Sequence, residues 1–174
     1  MAAVTQIPVG RSPTACPMTI WVSSMKFFTR ELFNAQQGNP DLPEVIAAGK
    51  EWDTAREGYH KHLDSILPRL PSSMRDFCDT TLHDGVVRAV ERNGDSFRIE
   101  IDACGCWGAS GPVELVFRGV VSAAGIEEAI GDYWLYEEVH LSDNAGFEYH
   151  VLLEDTEMLI VASEIEFREK LHGP

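Results

Sequence analysis

Residues 41–68 read DLPEVIAAGKEWDTAREGYHKHLDSILP, and this stretch decides the fold. Its apolar side chains recur three, four or seven positions apart, at Val45, Trp52, Ala55, Tyr59, Leu63 and Ile66. That spacing places them on one face of an α-helix, while charged residues such as Lys50 and Glu51 fall on the opposite face. The pattern predicts a helix of about six turns that begins near Asp41, ends before Pro68 and buries one face.

After Gly85 the period of the apolar residues falls from about 3.6 to two, which is the period of a β-strand. Six strands are predicted, over residues 87–91, 97–103, 113–118, 134–141, 147–153 and 158–167. Because short linkers join most of them, neighbouring strands are expected to be antiparallel. The sequence therefore predicts an α+β fold in which N-terminal helices pack on a six-stranded, mainly antiparallel sheet.

The first 24 residues differ from the rest of the chain. They contain a single charged residue, Arg11, and three prolines that interrupt any helix or central strand. Met25 then begins the stretch MKFFTREL, which is typical of a protein start. We therefore interpret residues 1–24 as a disordered tail or an extension from an upstream start codon, with Met25 competing with Met1 as the true start. Residues 25–174 are predicted to form a single domain.

Charge is the strongest bulk property of the chain. Twenty-eight acidic residues against 14 basic ones give a net charge of −14. No cluster of Lys and Arg supplies the cationic face that a nucleic-acid binder needs, and anionic lipid surfaces would repel the chain. A basic protein would instead be attracted. The sequence also lacks an apolar run of the ~20 residues that a membrane span requires, and it has no export signal. We expect a cytoplasmic protein that binds neither nucleic acid nor membranes and needs no cofactor.

A metal site could be built from His83, Asp84, His140 and His150. His140 and His150 lie on consecutive predicted strands, so in a hairpin they would face each other across the strand pair. If His83 also came close, the group could serve a metal-dependent hydrolase. The competing interpretation is structural: His83 packs under the helix, Asp84 accepts turn hydrogen bonds, and Gly85 adopts a backbone angle that other residues avoid.

Aromatic and acidic residues alternate on the predicted strands between Trp134 and Leu153. If the helices leave this side of the sheet bare, an acidic aromatic surface for a protein partner would form there, from Trp134, Tyr136, Glu137, Glu138, Glu148 and Tyr149. If the helices cover it, the rings belong to the core.

The order of these features resembles a known family. MKFFTREL at residues 25–32, the helix with Trp52 and Tyr59, Leu67-Pro68, and Leu82-His83-Asp84-Gly85 before the sheet are together similar to domain-of-unknown-function family 4085, a bacterial family. The resemblance covers about Met25 to Glu169 and implies no catalytic residues, because the family has no established activity. The arrangement is also similar to small bacterial immunity proteins, which are acidic and neutralise a toxin by binding it.

These observations favour a bacterial binding or immunity-like protein that has no catalytic activity and meets a basic protein partner through an acidic surface. The alternative is the metal-dependent hydrolase that uses His83, Asp84, His140 and His150. No other catalytic motif is present in the sequence, which lacks both a Gly-x-Ser-x-Gly elbow and a His-Glu-x-x-His helix.

Overall fold

A computed structural model describes residues 25–104, 106 and 111–169, so the predicted extension over residues 1–24 lies outside the described residues. Helix α1 spans Arg30–Ala35, α2 spans Pro43–Ile66 and α3 spans Ser72–Phe77, with a short 3-10 turn at Leu67–Arg69. The long helix is confirmed, and it begins at Pro43 rather than at Asp41, because the fixed φ of proline suits the first helical position. None of the described helices is long and apolar enough to cross a membrane.

Eight strands follow in the part of the chain that the structure describes. They are β1 Val86–Asn93, β2 Ser96–Asp102, β3 Pro112–Arg118, β4 Ser122–Ala124, β5 Trp134–Leu141, β6 Phe147–Leu153, β7 Glu157–Ala162 and β8 Glu164–Glu169. They form two antiparallel sheets of four strands: a first sheet in the order β1-β2-β3-β8 and a second in the order β4-β7-β6-β5. The α+β class is confirmed, whereas the single six-stranded sheet is wrong.

The predicted last strand, over residues 158–167, is in fact two strands that meet at Ser163. β7 pairs with β6 in the second sheet, and β8 pairs with β3 in the first. The N–H and the hydroxyl of Ser163 both donate to the carbonyl oxygen of Arg118, at 3.1 Å each, which fixes the crossing point. The chain therefore passes from one sheet to the other within a single residue.

The two sheets stack face to face around the main apolar core. The ring of Phe117 in β3 lies 6.5 Å from that of Phe147 and 5.7 Å from that of Tyr149, both in β6. All three rings are fully buried. Helices α1 and α2 cover the other face of the second sheet, where the rings of Trp52 and Tyr136 lie 4.6 Å apart. The molecule thus has three layers: helices, second sheet and first sheet.

Helix α2 also protects β5, the edge strand of the second sheet. The Tyr59 hydroxyl accepts a hydrogen bond from the Val139 N–H at 3.0 Å, and His62 Nε2 donates to the Val139 carbonyl at 3.2 Å. Nearer the start of β5, His83 Nδ1 donates to the Leu135 carbonyl at 2.5 Å. Because unpaired groups on a strand edge can recruit another chain, these side chains take the place of a neighbouring strand.

This edge contact gives a first prediction. Tyr59→Phe should lower the free energy of unfolding by about 1 kcal/mol, because the Val139 N–H loses its acceptor while the ring stays in place. Chemical denaturation measures the change, and Tyr133→Phe serves as the matched control, since the Tyr133 side chain is 48% exposed. Equal losses in the two variants would contradict a role of the Tyr59 hydroxyl at the strand edge.

Candidate functional site

The six residues predicted to bind a partner do not share one exposed face. Trp134 and Tyr149 are fully buried between the sheets, and Glu138 is fully buried under residues 26–28. Tyr136 lies on the helix-covered face of the second sheet, where it contacts Trp52. The helices cover the face that carries Tyr136, and the first sheet covers the face that carries Trp134 and Tyr149. Among the six residues only the glutamates Glu137 and Glu148 and the ring of Tyr136 keep partial exposure.

Glu138 anchors the segment that precedes α1. Its carboxylate accepts hydrogen bonds from the backbone N–H groups of Lys26, Phe27 and Phe28 at 2.9, 2.7 and 2.7 Å, and from His140 Nε2 at 3.0 Å. Burial alone would raise the pKa of Glu138, but the hydrogen bonds from His140 and from the backbone outweigh it and lower that pKa. This carboxylate is saturated with donors, and its role is to hold the chain in place.

The structure brings only part of the predicted metal site together. The rings of His140 and His150 lie 5.1 Å apart, and the ring of His62 lies 4.7 Å from that of His140. His83 instead donates from Nδ1 to the Leu135 carbonyl near the start of β5, and its Nε2 lies 3.7 Å from Asp84 Oδ1. Among residues 25–104, 106 and 111–169, no group of three His, Cys, Asp or Glu side chains could hold a metal ion. The geometry therefore gives the hydrolase hypothesis no support.

The turn at His83-Asp84-Gly85 positions His83 beside β5. Its left-handed backbone angle, which we predicted at Gly85, falls on Asp84, with φ of 68°. Aspartate tolerates this region better than most residues because its short side chain can bond locally. Gly85 is needed for space instead, since a Cβ there would lie 2.8 Å from Ile101 Cγ2 and 2.9 Å from the Leu82 carbonyl oxygen.

Two cavities flank the edge of β5, and we call the pair the β5 cleft. The inner cavity, about 130 Å³, is lined by residues of α2, α3, β5 and β6, and the outer one, about 300 Å³, by residues of α2, β5 and the 81–83 segment. Tyr59, His60 and Glu137 line both. The other walls of the inner cavity are Leu63, Met74, Phe77, Cys78, Thr80, Val139 and Tyr149. The β5 cleft thus combines apolar walls with a few polar groups, as ligand sites do.

Glu137 supplies the carboxylate of the β5 cleft, and no other acidic side chain stands among the described residues that line it. The carboxylate accepts a hydrogen bond from Trp134 Nε1 at 2.8 Å. Burial raises the pKa of Glu137 to about 7, although the Trp134 hydrogen bond and His83 offset part of the rise. A carboxyl group that faces a cavity and titrates near neutral pH is frequent at functional sites.

Besides Glu137, the polar side chains that line the inner cavity are those of Tyr59, His60, Cys78, Thr80 and Tyr149. The Tyr149 hydroxyl is fully buried and makes no hydrogen bond within the described residues, a state that costs about 1–3 kcal/mol. Burial raises the pKa of Cys78 to about 11, so its thiol stays protonated and unreactive at neutral pH. Among the groups that the inner cavity presents to a ligand are thus the Glu137 carboxylate and the buried hydroxyl of Tyr149.

A second candidate site is exposed on the loop before β5. Ile130 and Tyr133 leave 51% and 48% of their surface open, and Glu127 and Glu128 are exposed on the same loop. The turn at residues 154–155 adjoins it, because the residue 154 N–H donates to the Tyr133 carbonyl at 2.9 Å. We call this set the acidic loop surface; its members are Glu127, Glu128, Ile130, Tyr133, Glu154 and Asp155.

In the part of the chain that the structure describes, the four carboxylates of the acidic loop surface form no ion pairs. The nearby Arg30 donates instead to backbone carbonyls of the adjoining turn, including that of Glu154. On the outer face of the first sheet, by contrast, Arg98 and Arg168 both pair with Glu114, and Arg118 pairs with Glu166. This loop was not predicted as a surface for a partner, because its aromatic, aliphatic and acidic residues lie between strands and follow no strand alternation.

Comparison with known proteins identifies a family whose matched span contains both candidate sites. No curated protein matches the chain. A family model described as a protein of unknown function (DUF4085) matches residues 46–162, which is more than half of the chain. The matched span runs from the first turn of α2 to the end of β7 and includes β5 and the acidic loop surface. The resemblance to this family noted in the sequence is thus confirmed, the likeness to immunity proteins stays a prediction, and the chain belongs to the DUF4085 family of proteins of unknown function.

Proposed function

We propose that the protein is a cytoplasmic, non-catalytic binding protein that holds a basic protein partner on its acidic loop surface, in the manner of an immunity protein. The proposal is carried by the exposed side chains of Ile130 and Tyr133, which stand on one loop with Glu127 and Glu128. Protein interfaces bind through a few aromatic and aliphatic anchors within a polar rim. An acidic rim selects a basic partner, and the net charge of −14 speeds its approach.

The distribution of ion pairs favours this loop over the other acidic parts of the surface. Acids on the outer face of the first sheet are bound to Arg98, Arg118 and Arg168, so a partner would have to break existing pairs there. The acids of the acidic loop surface are open to a partner's Lys and Arg side chains. The same negative charge disfavours nucleic acid and anionic membranes as partners.

The test compares capture by four forms of the full chain from a lysate of the source organism. These are the native chain, Glu127→Lys/Glu128→Lys, Ile130→Ala/Tyr133→Ala, and a control, Glu51→Lys/Glu57→Lys. The control changes the net charge as much as the first variant does, at exposed positions of α2. Circular dichroism checks that each form is folded.

We expect the native chain and the α2 control to retain the same basic protein, and both loop variants to bind it at least tenfold more weakly, a loss of about 1.4 kcal/mol. Titration with the purified partner measures that loss. Equal weakening by the α2 control would mean that net charge alone attracts the partner, and full binding by both loop variants would reject this surface. Failure of the native chain to retain any basic protein would reject the proposed function itself.

A further inference from the structure

We propose that the β5 cleft binds a small organic cation, namely a primary amine attached to an apolar body about the size of a benzene ring. The site is independent of the acidic loop surface and uses none of its residues. Three observations together carry the proposal: the volume of the inner cavity, its single carboxylate at Glu137, and the unpartnered hydroxyl of Tyr149.

The inner cavity fits an apolar body of this size. Its volume of about 130 Å³ is close to that of an engineered protein cavity of about 150 Å³ that binds benzene. Leu63, Met74, Phe77 and Val139 provide apolar walls on several sides. A body of six to eight heavy atoms would therefore replace empty volume with close contacts, which is favourable.

The polar groups of the inner cavity select a donor on the ligand. The Glu137 carboxylate can accept about four hydrogen bonds, and the structure uses one of them, from Trp134. The Tyr149 oxygen is a second acceptor that lines the same cavity. An ammonium group carries three donors and no acceptor, so it suits a cavity that presents the two acceptors Glu137 and Tyr149. An anionic ligand group would be repelled by the carboxylate.

Charge pairing reinforces this choice. Among the described residues Glu137 forms no ion pair: Arg56, which lines the outer cavity, pairs with Asp53 on the surface, and His83 lowers the pKa of Glu137 only in part. A bound ammonium group would stabilise the ionised carboxylate and would lower its pKa. Ligand affinity should therefore depend on pH in the range where Glu137 titrates.

The experiment uses three probes of one shape: benzylamine, benzyl alcohol and benzoate. Binding is followed through the methyl signal of carbon-13-labelled Met74, which lines the inner cavity, in the native chain, Glu137→Gln, Tyr149→Phe and the surface control Glu57→Gln. At pH 8 we expect benzylamine to bind at least tenfold more tightly than benzyl alcohol, and benzoate not to bind. Benzylamine affinity should fall about tenfold from pH 8 to pH 6 as Glu137 takes up a proton.

The variants separate a built site from general attraction of cations. Glu137→Gln should remove the preference for benzylamine and the pH dependence of its binding. Tyr149→Phe should lower the affinity for benzylamine a few-fold. Glu57→Gln should change neither the preference nor the affinity. Equal affinities for the three probes, or an unchanged preference in Glu137→Gln, would overturn the proposal. So would the absence of any shift of the Met74 signal at about 10 mM of each probe, a concentration that reveals even millimolar affinities.

Discussion

Glu138→Ala is expected to lower the free energy of unfolding by about 3–5 kcal/mol, the largest loss that we predict for a single residue. The substitution leaves the backbone N–H groups of Lys26, Phe27 and Phe28 without their acceptor. It also frees a segment that contributes the buried side chains of Met25 and Phe28 to the core beneath α2. Denaturant unfolding measures the loss, and hydrogen exchange at residues 26–28 reports whether the segment detaches.

A matched control and an intermediate variant sharpen this prediction. Glu128→Ala removes an exposed glutamate of the same charge and should change the free energy of unfolding by less than about 0.5 kcal/mol. Glu138→Gln keeps one acceptor oxygen, so its loss in the free energy of unfolding should lie between those of Glu138→Ala and Glu128→Ala. Retained protection of the 26–28 amides in Glu138→Ala would contradict the anchoring role.

The contribution of Glu138 to the free energy of unfolding should depend on pH with a definite sign. Because the folded pKa of Glu138 lies below its ordinary value, its stabilisation is complete above the ordinary pKa of glutamate. This stabilisation is lost as the pH falls through the lowered pKa of Glu138 in the folded state. The native chain should therefore lose stability in acid more steeply than Glu138→Ala does.

Glu137→Gln is expected to act in the opposite direction and to raise the free energy of unfolding at pH 8 by about 2 kcal/mol. Burial raises the folded pKa of Glu137 to about 7, whereas the unfolded carboxyl titrates near its ordinary value, so stability falls as the pH rises between the two. The full difference corresponds to about 3 kcal/mol, and partial exposure of the side chain reduces it. The glutamine oxygen can still accept the Trp134 hydrogen bond.

The measurement is the difference in unfolding free energy between Glu137→Gln and the native chain at pH 8 and at pH 5. We expect the gain at pH 8 and little gain at pH 5, where the folded carboxyl is already neutral. Glu57→Gln, at an exposed position of α2, should show no such dependence. A gain of equal size at both pH values would show that ionisation of Glu137 is not its source.

A carboxyl group that lowers stability at neutral pH fits a trade-off between stability and function. Proteins retain such groups where binding or activity needs them. Removal of the charge of Glu137 should therefore stabilise the fold and abolish the preference for amines in the same variant. The contrast with Glu138, whose ionised form stabilises the fold, separates two neighbouring acids that the sequence alone makes look equivalent.

The sequence predicts α2 well because its apolar spacing extends over six turns and leaves no other periodicity open. The division into two sheets escaped prediction because strand alternation carries no information about which sheet a strand joins. The sequence gives no sign of the crossing at Ser163, because residues 158–162 are all apolar and show no alternation that would mark the end of β7. β4 was missed because three residues are too few for a pattern.

The candidate sites were harder to predict for a local reason. A register shift between Trp134 and Tyr136 interrupts the alternation of β5, so Trp134 and Tyr136 point to opposite faces although they are two residues apart. The same shift turns the Glu137 side chain toward the space between the two sheets and the inner cavity. A bulge of this kind depends on tertiary packing, and simple alternation cannot reveal it.

The crossing at Ser163 also bears on how the molecule comes apart. Because a single residue separates β7 from β8, we expect the release of one strand from its sheet to disturb the other strand. The crossing thereby couples the two sheets, because a displacement of β7 pulls on β8 through Ser163, and the reverse holds as well. We therefore expect the two sheets to unfold together in one cooperative transition rather than one after the other.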